Sequence, residues 1–378
     1  MNKQSQPTKV ALVYDRVNKF GGAERILLDL HNLFPKAPLY TLVFEPNSAY
    51  WAKNIKVIVS FFNRLPFLRS HHELLTPLAS LGFESFNFDR YDLVISVTSS
   101  DAKAIVTKPQ TLHICYCLTP PRYLWSLSKT YRDKPGFGWL DPVARSVFAF
   151  LKKRLQKYDR LIANRPDFYL SISRTVSRRI KKIYGRSAEM IYPGIDKKFF
   201  ELKLIDVRKR EYHLYVGRLV PYKKTDLVVA AFNQLGLPLV IVGSGSETKK
   251  LKQMAGDNVT FAGQVSDQRL IEYYRYAKAL IFPQVEDFGL VPLEAQACGT
   301  PVIAFNRGGA KETVISGKTG IIFTHQTASA IIKAVKRLQT ANLDPKGCRE
   351  NAQKFTQQKF INNFSQKLDK IWTKQQGR

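Results

Sequence analysis

Two glutamates, Glu286 and Glu294, lie eight positions apart in Phe282-Pro-Gln-Val-Glu286-Asp-Phe-Gly289-Leu-Val-Pro-Leu-Glu294-Ala-Gln-Ala-Cys298-Gly299-Thr-Pro301. Glu286 follows an apolar run and so falls in a loop at a strand end. Pro292 suits the first turn of a helix that Gly299 ends. Glu294 then sits within the first turns of that helix, beside the free N–H groups of Gly289 and Leu290. Those amides and the positive end of the helix dipole make an anion site. A glutamate near a helix N-terminus is stabilising whatever the protein does, which suffices for Glu294 but leaves Glu286 unexplained. Two further glycine turns follow apolar runs. In Phe20-Gly-Gly-Ala-Glu-Arg25, Gly21 and Gly22 would let a ligand approach the backbone and reach helix amides. Gly243-Ser-Gly245 is either a ligand-facing turn or plain strand-to-helix punctuation. Neither has the GxGxxG spacing of a dinucleotide site, and the P-loop pattern GxxxxGK[ST] is absent. Cys115 and Cys117, two apart in a β-like run, read as buried thiols rather than metal ligands.

The elements that must position these residues alternate along the chain. Strand-like runs cover residues 9–14, 39–44, 92–97, 112–117 and 169–173, then 213–216, 238–242, 259–261, 279–282, 301–305 and 320–323. Several are unbroken Val/Ile/Leu runs, as expected of parallel strands covered on both faces. Helical patterns separate them, so the architecture is α/β, twice over. Tyr192-Pro-Gly-Ile-Asp196 carries turn chemistry and is the expected linker. This predicts a Rossmann-like domain over 1–195, joined by a C-terminal helix over 355–378, and a second Rossmann-like domain over 196–354. Phe355, Phe360, Phe364, Leu368 and Trp372 give that terminal helix one apolar face. Two such domains facing across a cleft would bring the carboxyl ends of both sheets, where ligands bind, to one place.

The chain of 378 residues carries 59 Lys+Arg against 30 Asp+Glu, a formal charge of +29, with 44% hydrophobic residues. That apolar fraction excludes disorder, and four cysteines exclude a disulfide scaffold. No apolar run approaches a membrane span, and the first residues lack the apolar core of a signal peptide, so a cytoplasmic, non-spanning protein is expected. Residues 145–186 hold 13 Lys/Arg against Asp159 and Asp167. Val147, Phe150, Leu151, Leu155 and Tyr158 recur there at helical spacing, giving one apolar stripe and a cationic remainder. Such a helix could lie on anionic lipid or on nucleic acid, or present a solvated face. Lipid is the preferred reading, and the interleaved aromatics of a nucleic-acid module are missing.

The Glu286–Glu294 motif, with Phe288-Gly289-Leu290 and the run to Pro301, resembles family 4 retaining glycosyltransferases of the GT-B fold. Val216-Gly-Arg218-Leu-Val-Pro-Tyr-Lys223-Lys224 is similar to that family's phosphate-binding segment, and Gly21-Gly22-Ala23-Glu24 to its first glycine turn. Gly308-Gly-Ala-Lys-Glu312 and Gly317-Lys-Thr-Gly320 match its closing blocks. Tyr91-Asp-Leu-Val-Ile-Ser96 and Thr119-Pro-Pro-Arg122-Tyr-Leu-Trp125 resemble its mannosyltransferase-like members. The likeness runs in order over about residues 8–325.

The resemblance implies transfer of a sugar from a nucleoside diphosphate donor with retention at the anomeric carbon, front-face attack and no established protein nucleophile. With no DxD-type metal pair, the leaving diphosphate must be met by protein. Arg218 and Lys223, with Lys224 the adjacent alternative, suit that task, and the amides at Gly289 and Leu290 would add fixed dipoles. No metal or cofactor is expected. By the same resemblance Glu286 contacts donor-sugar hydroxyls, Glu294 accepts from the ribose, and Gly21, Gly22, Val265 and Phe288 line the donor site. Lys103 and Arg122 are candidate pocket cations of the first domain. Many relatives carry a histidine where this chain has Leu118, which can neither donate nor accept a hydrogen bond. Arg122 or His113 could compensate, although His113 reads better as a structural strand residue. The expected donor is GDP-mannose and the acceptor a lipid-linked or polysaccharide glycan, at the inner face of an anionic membrane. The alternatives are a UDP-sugar donor or a non-catalytic subunit of the same fold. A glycosidase would also use two carboxylates, but a glutamate on a helix beside anion-binding amides fits a nucleotide better than a hydrolytic water.

Overall fold

Every strand in the computed structural model, which describes residues 7–64, 78–126, 128 and 141–376, pairs in parallel with its neighbours. β1 (Val10–Tyr14) leads through α1 (Gly22–Leu33) to β2 (Leu39–Thr41), β3 (Val57–Val59) and α2 (Ala79–Glu84). β4 (Leu93–Thr98), β5 (Leu112–Cys117), α3 (Asp141–Ile162), β6 (Phe168–Ser171), α4 (Arg174–Tyr184) and β7 (Ala188–Met190) follow. They build a seven-stranded sheet in the order β3-β2-β1-β4-β5-β6-β7. The chain then enters a second unit, Pro193–Phe360, and returns to the first at Ile361.

The second unit holds α5 (Lys198–Glu201), β8 (Tyr212–Val216), α6 (Thr225–Leu235), β9 (Leu239–Val242), α7 (Thr248–Met254), β10 (Val259–Gly263) and α8 (Asp267–Tyr276). It continues with β11 (Ala277–Phe282), α9 (Leu290–Ala297), β12 (Val302–Phe305), α10 (Ala310–Thr313), β13 (Gly320–Phe323), α11 (Ala328–Thr340) and α12 (Pro345–Ala352). Its six strands run β10-β9-β8-β11-β12-β13. Both sheets are doubly wound, with the order reversing beside the first strand of each, where ligands bind in such folds.

Central strands β4 and β5 are buried at every residue, which is why they read as apolar runs in the sequence. Cys115 and Cys117 are free thiols inside β5, and burial raises the Cys117 pKa well above the usual thiol range. The second unit packs Tyr215, Phe232, Ile241, Ile281 and Ile303 into one core. The two strands that the sequence pattern does not announce, β3 and β7, are the sheet's edges. Each has only three residues and neither is fully buried, so no long apolar run marks it.

The last helix, α13 (Gln357–Gln376), buries Phe360, Phe364, Leu368, Ile371 and Trp372. Within the first unit Phe364 meets Tyr116 edge-on at 6.0 Å between ring centroids. On α3 the apolar stripe is only partly covered, and the Val147 side chain lies outside the described residues. Leu151, Leu155 and Tyr158 are half-buried, but Phe150 is 67% exposed, with Arg154 stacked over its ring. Leu161 is 61% exposed on the same helix. Among the described residues no helix is long and apolar enough to cross a membrane.

Candidate active site

The loop leaving β8 begins at Gly217 and is fixed by close backbone packing. Gly243, at the end of β9, has φ +126, and a Cβ there would lie 2.0 Å from the Gly217 carbonyl oxygen. A Cβ on Gly245 would lie 2.3 Å from the Leu219 carbonyl. Close approach thus explains the Gly243-Ser-Gly245 turn: two loops touch backbone to backbone, and no ligand is needed to account for its glycines. Arg218 projects from this loop and its Nη2 donates to the Tyr222 hydroxyl at 2.9 Å. A short 3₁₀ turn, Pro221–Lys223, then ends at Lys224 and α6 begins.

Lys223 Nζ forms an ion pair with Glu286 Oε1, and the two side chains keep only 14% and 17% of their exposure. The structure therefore joins two of the sequence-derived candidates that are 63 residues apart. Glu286 is held from behind by its backbone. Its carbonyl accepts from Gly309 N at 2.8 Å, and Glu286 and Gly308 form a parallel bridge. A Cβ on Gly308 would fall 2.1 Å from the Glu286 carbonyl oxygen and one on Gly309 2.0 Å from that of Phe288, so both glycines are required by contact.

Helix α9 starts where the sequence places it. Gly289 is its N-cap with φ +94, and Gly299 follows its end with φ +81. Gly289, being a glycine, supplies no side-chain cap to the helix's opening amides. Phe288 is buried against Phe355, with ring centroids 5.8 Å apart. Glu294 is 5% exposed, and its Oε2 accepts from the Tyr274 hydroxyl at 2.9 Å. Tyr274 orients that carboxylate, and sequence spacing gives no sign of it. Val265 lies half-buried in the loop after β10.

In the first unit, Gly21 is extended at φ −174 and caps α1, with Gly22 the first helical residue. The Glu24 carboxylate lies over this turn, 3.3 Å from where a Gly21 Cβ would be, and accepts from the Tyr14 hydroxyl at 2.6 Å. Asp15, at the end of β1, is a hub the sequence reading did not single out. It accepts from Thr98 Oγ1 at 2.7 Å and from the amides of Ser99, Asp101 and Ala102 at 2.7, 3.0 and 2.9 Å. The available signal was an acidic residue closing an apolar strand.

Lys103 departs from expectation. It is 1% exposed and its Nζ lies 2.7 Å from Asp159 Oδ1, so it is an internal ion pair and not a pocket cation. Burial alone would lower its pKa, but Asp159 and then Asp101 outweigh that and hold it above the usual lysine range. Asp159 also accepts from Trp125 Nε1 at 2.7 Å and from the Tyr184 hydroxyl at 2.9 Å. Arg122 is half-buried in the turn after Pro121, and Leu118 is buried. His113 is a fully buried β5 residue, its Nε2 2.8 Å from Ser96 Oγ, and burial with the nearby Arg165 and Arg186 lowers its pKa to about 3. It does not replace the missing histidine.

Residues 196–355 match the family described as glycosyl transferases group 1. The match lies within the second unit, Pro193–Phe360. Among curated relatives, the GDP-mannose-dependent alpha-(1-6)-phosphatidylinositol monomannoside mannosyltransferase of Mycobacterium tuberculosis shows 33% identity in an alignment of 242 positions that covers 56% of this chain and 60% of the relative. The D-inositol 3-phosphate glycosyltransferase of Mycobacteroides abscessus is 36% identical over 193 residues, 45% of this chain and 42% of the relative. The matched region spans about 60% or less of these relatives' own length. Sucrose-phosphate synthase from Thermosynechococcus elongatus superposes with a TM-score of 0.74 at 21% identity, covering 97% of this chain and 99% of that one. Anabaena HepE in complex with UDP and glucose gives 0.69 at 20% identity, covering 96% and 99%. At such identities the likeness establishes the fold, which is GT-B.

Proposed function

We propose that the chain is a retaining hexosyltransferase that takes a sugar from a nucleoside diphosphate donor, with GDP-mannose as donor and a lipid-linked or polysaccharide glycan as acceptor. The observation that carries this reading is the meeting of Lys223 and Glu286 beside Arg218, in the unit that matches the group 1 family. In this reading Arg218 and the α9 amides at Gly289 and Leu290 stabilise the departing diphosphate, and the cations there do the work a metal does elsewhere. Glu286 orients the sugar through its hydroxyls and Glu294 accepts from the ribose. GDP-mannose is favoured by the Thr119–Trp125 resemblance and by the GDP-mannose dependence of the similar mycobacterial mannosyltransferase.

Transfer from a panel of tritiated GDP- and UDP-sugars, with and without EDTA, tests the assignment. Mannose incorporation from GDP-mannose that survives EDTA is expected. Turnover of UDP-sugars alone would move the donor to the alternative, and no turnover of either class in any acceptor extract would favour a non-catalytic subunit. Glu286→Ala and Arg218→Ala should each reduce transfer by at least about a hundredfold, the scale of a lost transition-state contact.

The acceptor side of the proposal places the enzyme on an anionic leaflet. Arg145, Lys153, Arg154, Lys157 and Arg160 are exposed on α3 together with Phe150 and Leu161. Each Lys or Arg near such a surface contributes about 1 kcal/mol, and exposed aromatic and aliphatic groups can enter the headgroup boundary. Sedimentation with phosphatidylserine vesicles should be salt-sensitive and should weaken in a Phe150→Ser, Leu161→Ser double variant. Equal binding to neutral vesicles would count against it.

A further inference from the structure

A loop at the carboxyl end of a strand can place a side chain accurately only if a rigid scaffold holds it, and the loop after β5 is held by two helices. Residues 118–125 read Leu-Thr-Pro-Pro-Arg-Tyr-Leu-Trp, with Arg122 their single charged side chain. The Pro121 carbonyl accepts from the amides of Leu124 and Trp125 at 3.1 Å each, closing a turn around Arg122. Leu118, Thr119 and Leu124 are buried, whereas Arg122 is half-buried. The turn thus leaves its one cation partly open to solvent.

Polar anchors grip the turn on both sides of that cation. Before it, Thr119 Oγ1 accepts from Arg179 Nη1 of α4 at 3.2 Å. After it, Gln156 Nε2 of α3 donates to the Leu124 carbonyl at 2.8 Å, and Asp159 Oδ2, three residues further along the same helix, accepts from Trp125 Nε1 at 2.7 Å. Arg160 lies over the Trp125 ring, 4.9 Å from its centroid. Asp159 is 3% exposed and is itself fixed from two more directions. The Tyr184 hydroxyl donates to Oδ2 at 2.9 Å, and Lys103, which also donates to the Ser100 carbonyl at 2.5 Å, pairs with Oδ1. Burial first and Asp159 second raise the Tyr184 pKa well above the usual phenol range, so this hydroxyl stays a donor. A buried ion pair is a poor source of stability, since apolar residues of similar size often serve as well or better. A satisfied polar network does fix a single arrangement of the groups bonded to it.

We propose that Asp159 and Gln156 are positioning residues of the transfer reaction, acting through Trp125 and Leu124 to set the turn that brings Arg122 to the substrate. Lys103 then serves the site by holding Asp159, not by meeting a ligand. This rests on the transferase reading above and on Arg122 as a cation of the first unit's site, but makes a separate claim about how α3 controls that residue.

The test is a mutant cycle on the whole chain. It reads kcat with the donor that the wild type turns over, GDP-mannose or a UDP-sugar, together with calorimetric affinity for GDP or UDP and the melting curve. Trp125→Phe keeps a ring beside Arg160 and loses the indole N–H, and Gln156→Leu removes the other anchor. Together they should lower kcat about a hundredfold, the scale of a misplacement of roughly 1 Å, with nucleotide affinity unchanged and cooperative melting retained. In an Arg122→Ala background the same two substitutions should cost almost nothing further, because residues that act as a unit are not additive. A second comparison removes the buried charges together. Lys103→Met with Asp159→Asn keeps an acceptor for the Trp125 indole, and Lys103→Met with Asp159→Leu does not, so the first should transfer about fivefold faster, one neutral hydrogen bond's share. Undiminished kcat in the Trp125→Phe, Gln156→Leu variant, or a loss that recurs in full without Arg122, overturns the proposal and leaves the transferase reading in place. Equal rates in the two charge-free variants would overturn it as well, and they decide the question should the first variant not melt cooperatively. A wild type that transfers no sugar from either donor class would reject both.

Discussion

A buried ammonium is tolerable only beside a carboxylate, and Lys103 has Asp159 at 2.7 Å. Lys103→Met should therefore destabilise the protein by about 3–5 kcal/mol, because Asp159 is left buried with an uncompensated charge. Urea denaturation measures this; normal stability with a lost kcat/KM would return Lys103 to the role of pocket cation. His113 makes a pH prediction. Its folded pKa is lowered to about 3 from 6.5, so between those values the unfolded chain binds a proton that the folded chain refuses. Stability must fall as pH drops from 6.5 towards 3, by up to roughly 4–5 kcal/mol at the lower limit, and be independent of this group above pH 6.5. His213, lowered by burial to about 4, acts in the same sense. His113→Asn should flatten the acid limb of a urea-midpoint profile; an unchanged limb would mean that other groups set it. Neither the Lys103–Asp159 pair nor the His113–Ser96 contact is legible in sequence, because each joins residues from different elements and depends on burial that a linear pattern does not carry. Glu286 and Lys223 were legible one by one through their motifs, but the ion pair between them was not.

Elements whose conformation is dictated locally were the readable part of the fold. Helix α9 could be bounded by Pro292 in its first turn and Gly299 at its end, and the structure adds that Gly289 and Gly299, which flank it, both have positive φ. All six strands of the second unit were visible as apolar runs, whereas edge strands β3 and β7, being short and incompletely buried, left no pattern. The glycines themselves divide into two kinds that sequence cannot separate. Gly309 meets the Phe288 carbonyl, while Gly236, with φ +65 after α6, has open space around it. Gly309→Ala should force the segment carrying Glu286 to move and cost several kcal/mol together with most of the transfer activity, as overpacking does at a backbone contact. Gly236→Ala should cost only the left-handed penalty of about 1–2 kcal/mol and leave activity intact. Thermal melts and transfer rates of the two variants decide it: similar losses in both would show that contact at Gly309 is relieved without moving Glu286.

At the scale of the whole molecule, the chain leaves its first unit at Tyr192, completes the second, and returns at Ile361. The first unit is thus built from two stretches of chain, and the second of these supplies core. Phe364, Leu368, Ile371 and Trp372 are at most 8% exposed, and Lys367 pairs with Glu189 on β7. Burying four such side chains is worth about 1.5–3 kcal/mol each, so roughly 6–12 kcal/mol depends on them. A domain's entire stability is about 5–15 kcal/mol, so the first unit cannot spare them. The second unit keeps its own core around Tyr215, Phe232 and Ile281. A chain ending at Phe360 should therefore lose one cooperative transition and retain the other. In calorimetry the wild type should show the full unfolding enthalpy and the shortened chain about half. Limited proteolysis should degrade the shortened chain to a resistant fragment beginning near Pro193. Survival of the full enthalpy after truncation would show that Phe364 to Trp372 cover the first sheet without stabilising it.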